Sequence, residues 1–338
     1  MGDKPIVFTE HVQLTALGIQ PASISFQTLT LESDHFICVR ENVNDTNQVV
    51  IVDLADANNV MRRPTGRQLQ VFNLATKQKL GSHVMNEDVT FWAWINDTTL
   101  GMVTEHSVYH WKVTEGQAAP QKIFDRHASL NGNQIINYRM SEDGQWLVLV
   151  GISSNPAAGQ PGSNAFKIKG SMQLYSLERG VSQPIEGHAA AFTSVKMEGA
   201  SQPSKLFCFA VRSGNGAKLH VVEIGHQAGQ PAFPKKAVDV FFPPEATNDF
   251  PVAMQVSKKH GIIYLVTKFG FIHLYEVESG QCIYMNRISG DTIFTTAPYE
   301  QLNGIIGVNR KGQVLSVSVD EDTIVPFIQS KLGFQGII

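Results

Sequence analysis

The segment Gly261-Ile262-Ile263-Tyr264-Leu265-Val266 is followed by Gly270, by Ile272-His273-Leu274-Tyr275-Glu276-Val277, and by Cys282-Ile283-Tyr284-Met285. Each apolar run has strand length and is rich in β-branched and aromatic residues. Each gap holds Gly or polar turn-formers, so the segment reads as three consecutive strands joined by turns. The middle run follows a six-residue pattern: apolar, any, apolar, aromatic or Val, polar, aliphatic. Further copies are Val49–Leu54, Leu69–Leu74, Val108–Val113, Met172–Leu177, Leu219–Ile224 and Val314–Val319. His110 and Ser316 depart from the pattern at its third position. Additional strand-like runs lie between copies at Trp146–Val150 and Leu206–Val211. Helical spacing of apolar residues is nearly absent before the C-terminus.

Seven copies of a four-strand unit predict an all-β chain, a seven-bladed β-propeller of the WD40-like kind. Blades of such folds repeat every ~40–50 residues. Between third positions (Ile51, Val71, His110, Leu174, Val221, Leu274, Ser316) the intervals are 20, 39, 64, 47, 53 and 42 residues. The long one contains a Gly/Pro/Ser/Asn-rich insertion, Pro156 to Lys169, expected to be an exposed loop. The short one leaves no room for the strands that should open the second blade, so that blade is expected to be shortened near Pro64-Thr65-Gly66. The expected organisation is a propeller over residues 1–327 and a short helical or irregular tail over 328–338.

Composition narrows the function classes. The chain is 43% apolar and 17% charged, enough for a filled core. A net charge of −3 without a basic stripe argues against nucleic-acid binding. Cys38, Cys208 and Cys282 are far apart and form no C-x-x-C pair, so they read as reduced structural residues rather than a disulfide frame or zinc site. Met1-Gly2 opens like a myristoylation signal but carries Ile6 where Ser or Thr is wanted. With no apolar run of bilayer length, a soluble cytoplasmic chain is expected. Asn44-Asp45-Thr46 and Asn96-Asp97-Thr98 match a glycosylation triplet, but their position between alternating runs reads as hairpin turns.

No catalytic spacing stands out: there is no H-E-x-x-H, G-x-S-x-G or Walker loop. Gly214-Asn215-Gly216 precedes a strand and reads as a hairpin turn. His127 is expected to be a structural hydrogen-bonder. Asp239, Glu245 and Asp249 flank Phe241-Phe242-Pro243-Pro244, where a loop is simpler than an acid/base pair. No catalytic residue, metal ligand or cofactor is expected. A propeller hydrolase or lyase would need a convergent acid or metal set that the sequence does not offer.

Several long irregular stretches carry a family resemblance: Glu10–Leu14, Leu29–Asp34, Asp88–Trp94, Gln134–Arg139, Gln183–His188, Phe233–Pro244 and Gly307–Val314. From about Ile6 to Phe327 the chain resembles the N-terminal domain of clathrin heavy chains. The resemblance implies a non-enzymatic propeller at the tip of a coat leg. It would grip linear motifs in disordered tails of adaptor and accessory proteins on the cytoplasmic face of coated pits and vesicles. The clathrin-box groove of that family is matched here by Ile51, Met61, Arg63, Gln70, Phe72, Lys77 and Lys79. Its site for tryptophan-bearing motifs is matched by Phe26, Gln134 and Ile136, and its arrestin-type site by Trp146, Leu174, Arg179 and Gln183. The insertion at Pro156 to Lys169 is expected beside this last site, covering or extending it.

Gln70 and Phe72 are two apart on one predicted strand, so they share a face, and Lys77 and Lys79 should alternate likewise on the next. An aromatic floor with two ammonium groups suits a peptide bearing leucines and a carboxylate. Against the family pattern, the chain lacks roughly two strands and a turn between Pro64 and Gly66. It also has no helical leg arrays, and its tail diverges after about Lys331. The alternative reading is an incompletely closed propeller serving only as a generic protein-interaction scaffold, with exposed strand edges.

Overall fold

The computed structural model describes residues 4–64, 69–113, 119–163 and 165–332. Their strands form six four-stranded sheets and one two-stranded sheet. The count of seven blades is therefore corrected to a β-propeller with six complete blades. The reason lies in what the repeat marks. Six copies of the pattern fall on the third strand of a four-stranded sheet: Thr46–Asp53, Ser107–Lys112, Ile168–Ser176, Gly216–Glu223, Phe271–Glu276 and Gln313–Val319. The seventh falls on Leu69–Asn73, which among the described residues pairs only with Gln78–His83 and so forms a third and a fourth strand without a first and a second. The strand before it, Val60–Pro64, completes the preceding blade. The expected deletion point runs into residues 65–68, which lie outside the described residues.

The chain groups into two compact units. The first comprises Met1–Thr65, Ala190–Ala210 and Gly216–Ile338 and holds four complete blades. Its last blade, Ile293–Tyr299, Gly304–Asn309 and Gln313–Val319, takes its fourth strand from the N-terminus. That strand, Ile6–Gln13, runs antiparallel to Gln313–Val319 from Ile6 opposite Val319 to Gln13 opposite Gln313, with an irregularity between Glu10 and Val12. The alternating Ile37 and Val39, and Val50 and Val52, of the first blade pack with Ile306, Val308 and Val314 of the last in one buried cluster. Asn44 and Asp45 both take positive φ, 51° and 61°, as a two-residue hairpin turn between Phe36–Val43 and Thr46–Asp53 requires. Gly270 has φ +83°, and a Cβ there would stand 2.2 Å from the Ser289 carbonyl oxygen, so only glycine fits. A helix, Ile324–Leu332, follows the last strand. Residues 333–338 of the expected tail lie outside the described residues.

The second unit, Gly66–Ala189 with Val211–Asn215, holds the two-stranded sheet and two complete blades. These blades bury Val103, Val108, Phe124, Tyr138, Leu147 and Leu149 together. Phe124 stacks on Tyr175 with ring centroids 4.6 Å apart. Asn96 closes its turn by accepting the Thr98 N–H at 2.9 Å. The insertion is a hairpin loop between the strands Trp146–Ser154 and Ile168–Ser176.

The buried imidazoles make stability depend on pH. His273 is 1% exposed, neither ring nitrogen finds a partner among the described residues, and burial pushes its pKa down to about 4. His110 is likewise held down, to about 4, by burial. In the unfolded chain these groups bind a proton near pH 6.5. Between the two values the unfolded state holds more protons, so stability is full above about pH 6.5 and falls as pH drops toward 4. A denaturation series over this window is expected to show that loss, and His273→Phe to flatten it.

Candidate functional site

The two-stranded sheet places three of the seven proposed groove residues, Gln70, Phe72 and Lys79, on one surface. Leu69 faces His83, Gln70 faces Ser82, Val71 faces Gly81 and Phe72 faces Lys79, with Leu80 as an extra residue at a bulge. Leu69 and Val71 point inward and pack with Leu100, Met102 and Trp111 of the next blade. Gly81 lies so close to that blade that a Cβ would sit 3.1 Å from the Trp111 ring. Gln70, Phe72 and Lys79 therefore share the outward face, and Phe72 is 50% exposed. Lys77 is not on the strand as expected. It occupies the turn with φ +58°, so its ammonium sits at the hairpin tip.

Ile51, Met61 and Arg63 form a second group in the first unit. Ile51 pairs with Met61 and Val49 with Arg63 across adjacent strands, so all three point the same way. Ile51 is buried, Met61 half-buried and Arg63 exposed. The seven residues thus divide into two sets of three that each share a face, with Lys77 at the hairpin tip.

Of the second proposed site, Phe26 lies in a turn of the first unit, and Gln134 and Ile136 lie on the strand Gln134–Met140 of the second. The expected shared face of Gln134 and Ile136 is interrupted. Gln134 pairs with Ile152 and Ile135 with Gly151, but the next pair is Asn137 with Val150, which leaves Ile136 at a bulge.

The third site lies in one blade. Leu174 pairs with Val148 on one side and Gln183 on the other, and Trp146 is two residues from Val148, so Trp146, Leu174 and Gln183 share a face. Leu174 is buried, Trp146 half-buried, Gln183 exposed, and Arg179 exposed at the adjoining turn. The insertion is not beside them. It leaves from Ser154, at the opposite end of the strand from Trp146. Eight residues of extended chain set the two about 26 Å apart.

The carboxylates flagged in the sequence do not converge. Asp249 is fully buried and accepts hydrogen bonds from Phe250 N and Phe269 N at 2.9 Å and from Thr267 Oγ1 at 2.7 Å, whereas Asp239 is paired with Lys218 at 2.8 Å on the surface. His127 caps a short 3-10 turn through Nδ1, which accepts Ser129 N–H at 3.1 Å. Among the described residues no cluster of three or more His, Cys, Asp or Glu side chains is arranged to hold a metal. No helix among them is long and apolar enough to cross a membrane.

A family model described as the clathrin propeller repeat matches residues 18–55, 243–278 and 286–320, which fall on the first complete blade and the last two. The chain is 57% identical over 97% of its length to the clathrin heavy chain of Drosophila melanogaster and 54% identical to clathrin heavy chain 2 of Homo sapiens. It belongs to the clathrin heavy chain family. The match with a probable clathrin heavy chain of Schizosaccharomyces pombe is 47%. The chain spans about a fifth of the length of these clathrin relatives, their N-terminal part. The Drosophila alignment runs over 347 positions but takes in 97% of 338 residues, about 328, so some 19 positions of that clathrin have no counterpart here. A chain in the crystal structure of the mitotic checkpoint complex shares the fold alone, with a TM-score of 0.59 at 11% identity over 94% of this chain and 96% of that one.

The pattern of outward residues adds two positions that sequence reasoning missed. Trp92 and Trp94 are exposed on the strand Phe91–Asn96. Their signal was present in the alternation Phe91-Trp92-Ala93-Trp94-Ile95, where two tryptophans fall on the same face.

Proposed function

We propose that this chain is the motif-binding tip of a clathrin-type coat, holding clathrin-box peptides of adaptor and accessory proteins at the cytoplasmic face of coated membranes. The observation that carries the reading is the outward face of Gln70, Phe72 and Lys79, a half-exposed ring beside an ammonium, in a chain 57% identical to a clathrin heavy chain. Phe72 would supply apolar contact for a leucine-like side chain, Gln70 hydrogen bonds to the peptide backbone, and Lys77 and Lys79 charge-assisted contacts to its acid. Ile51, Met61 and Arg63, which share a face within the first unit, are proposed as motif contacts on that unit. Phe26 on the first unit, and Gln134 and Ile136 on the second, are proposed as contacts for tryptophan-bearing motifs, and Trp146, Leu174, Arg179 and Gln183 as an arrestin-type site within one blade. Each site would be weak alone, because a disordered tail loses chain entropy on binding, and a coat compensates by presenting many copies.

The test is capture of the folded chain on an immobilised peptide carrying two leucine-like residues and an acid, beside the same peptide with both replaced by alanine. Retention on the first and not on the second is expected. Equal retention on both would refute motif recognition.

A further inference from the structure

The incomplete blade leaves a slot in the second unit. In the five other complete blades at least two residues of the first strand are buried, among them Leu29 and Leu31, Ile135 and Tyr138, or Ile293 and Ala297. The strand Phe91–Asn96 has none. The cause is visible in its register. Trp92 pairs with Met102 and Trp94 with Leu100, so both tryptophans lie on the face turned toward the hairpin Leu69–His83. The hairpin covers Leu100, Met102 and Trp111, on the second and third strands of that blade. Among the described residues it has no first or second strand to lie over the tryptophans, which stay 37% and 36% exposed.

Beside this floor runs an open strand edge. Leu69–Asn73 pairs with Gln78–His83 on one side and with nothing on the other among the described residues. Exposed edges are normally protected by Lys, Pro or an inward charge. Neither Leu-Gln-Val-Phe-Asn nor the floor strand Phe-Trp-Ala-Trp-Ile-Asn carries a charge or a proline. The slot therefore offers unpaired backbone groups next to an uncharged aromatic surface.

The fold itself specifies what fits. In the five other complete blades the corresponding place is filled by two strands that bury apolar residues, and the some 19 positions of the Drosophila clathrin without a counterpart here match the length of a strand pair with its turn. We propose that the slot is a docking site for a partner polypeptide segment of that chemistry, extended, uncharged on one face and apolar at alternate positions. It adds as a strand to the free edge of Leu69–Asn73 and lays its apolar side chains on Trp92 and Trp94. The surface differs from the outward face of Gln70 and Phe72, so the two binding modes separate.

The probe is a fluorescent peptide of residues 251–267 of this chain, the first two strands of another of its blades, with a shuffled peptide of the same composition as control. Saturable one-to-one binding to the folded monomer is expected, weakened at least tenfold by Trp92→Ser/Trp94→Ser and unchanged by Phe72→Ala, which should weaken motif binding instead. Amide exchange of residues 69–73 should slow when the peptide is bound. This second readout does not depend on how well the double variant folds. Equal binding by the shuffled peptide, undiminished binding by the double variant, or unchanged exchange at 69–73 would each overturn the proposal. So would a dimer in sedimentation that the peptide does not compete with and the double variant abolishes, since that would assign the slot to a second copy of the chain.

Discussion

A chain that begins at Thr15, and so lacks the strand Ile6–Gln13, is expected to lose its cooperative melting transition. The strand is the fourth of the last blade and is held along its whole length by pairing with Gln313–Val319. His11 Nε2 adds a 2.8 Å hydrogen bond with Ser316 Oγ, and Asp320 N and Thr323 Oγ1 bond to the carbonyls of Pro5 and Lys4 at 3.0 and 2.9 Å. At about 1 kcal/mol net for each hydrogen bond, the loss amounts to several kcal/mol, a large part of a typical domain's total stability. It would also uncover the central strand Gln313–Val319, buried on both faces from Val314 to Val319, as a long edge. Calorimetry should show a broadened, early transition and light scattering should show aggregation. A sharp transition at the full-length temperature would mean that the strand does not close the blade.

Asp249→Ala is expected to be the most damaging single substitution outside the close-packed glycines. The carboxylate is fully buried and joins Phe250 N, Phe269 N and Thr267 Oγ1 at 2.7 to 2.9 Å, tying the loop before the strand Pro251–Ser257 to the turn after Ile262–Thr267. Alanine leaves these buried donors without their acceptor. Hydrogen bonds to a carboxylate are worth about 1.5–3 kcal/mol each, so a loss of roughly 3 kcal/mol or more is expected in urea denaturation. Asp249→Asn keeps the shape and part of the bonding and should cost clearly less. A loss below about 1 kcal/mol for alanine, the ordinary size for a point substitution, would contradict this role.

The sequence was informative where burial imposes a period. A third strand is a central strand of its sheet with both faces largely buried, so apolar residues recur along nearly its whole length. Ile272-His273-Leu274-Tyr275 shows this directly, with all four positions buried. The same property misled the blade count. Leu69–Asn73 keeps the third-strand pattern although no first or second strand accompanies it among the described residues, and only the 20-residue interval from Ile51 to Val71 signalled the loss. Fourth strands were hidden for the opposite reason. Val181–Glu186 is almost wholly exposed, and Ile6–Gln13 pairs with residues some 300 positions away, so neither has a local pattern to betray it. Among the site residues, the shared face of Gln70 and Phe72 followed from simple alternation. The bulge at Ile136 and the positive φ of Lys77 did not, because both break the period by one residue without a change in composition.

The most direct test of the account is a fluorescence-polarisation titration of a labelled leucine-and-acid peptide against the folded monomer and its Phe72→Ala variant. Saturable binding, weakened at least about tenfold by the substitution while the melting temperature stays unchanged, is the predicted result, since the half-exposed ring contributes contact rather than core packing. Binding of equal strength by both proteins, or none by the folded wild type, would contradict the claim that the outward face of the short hairpin holds the motif.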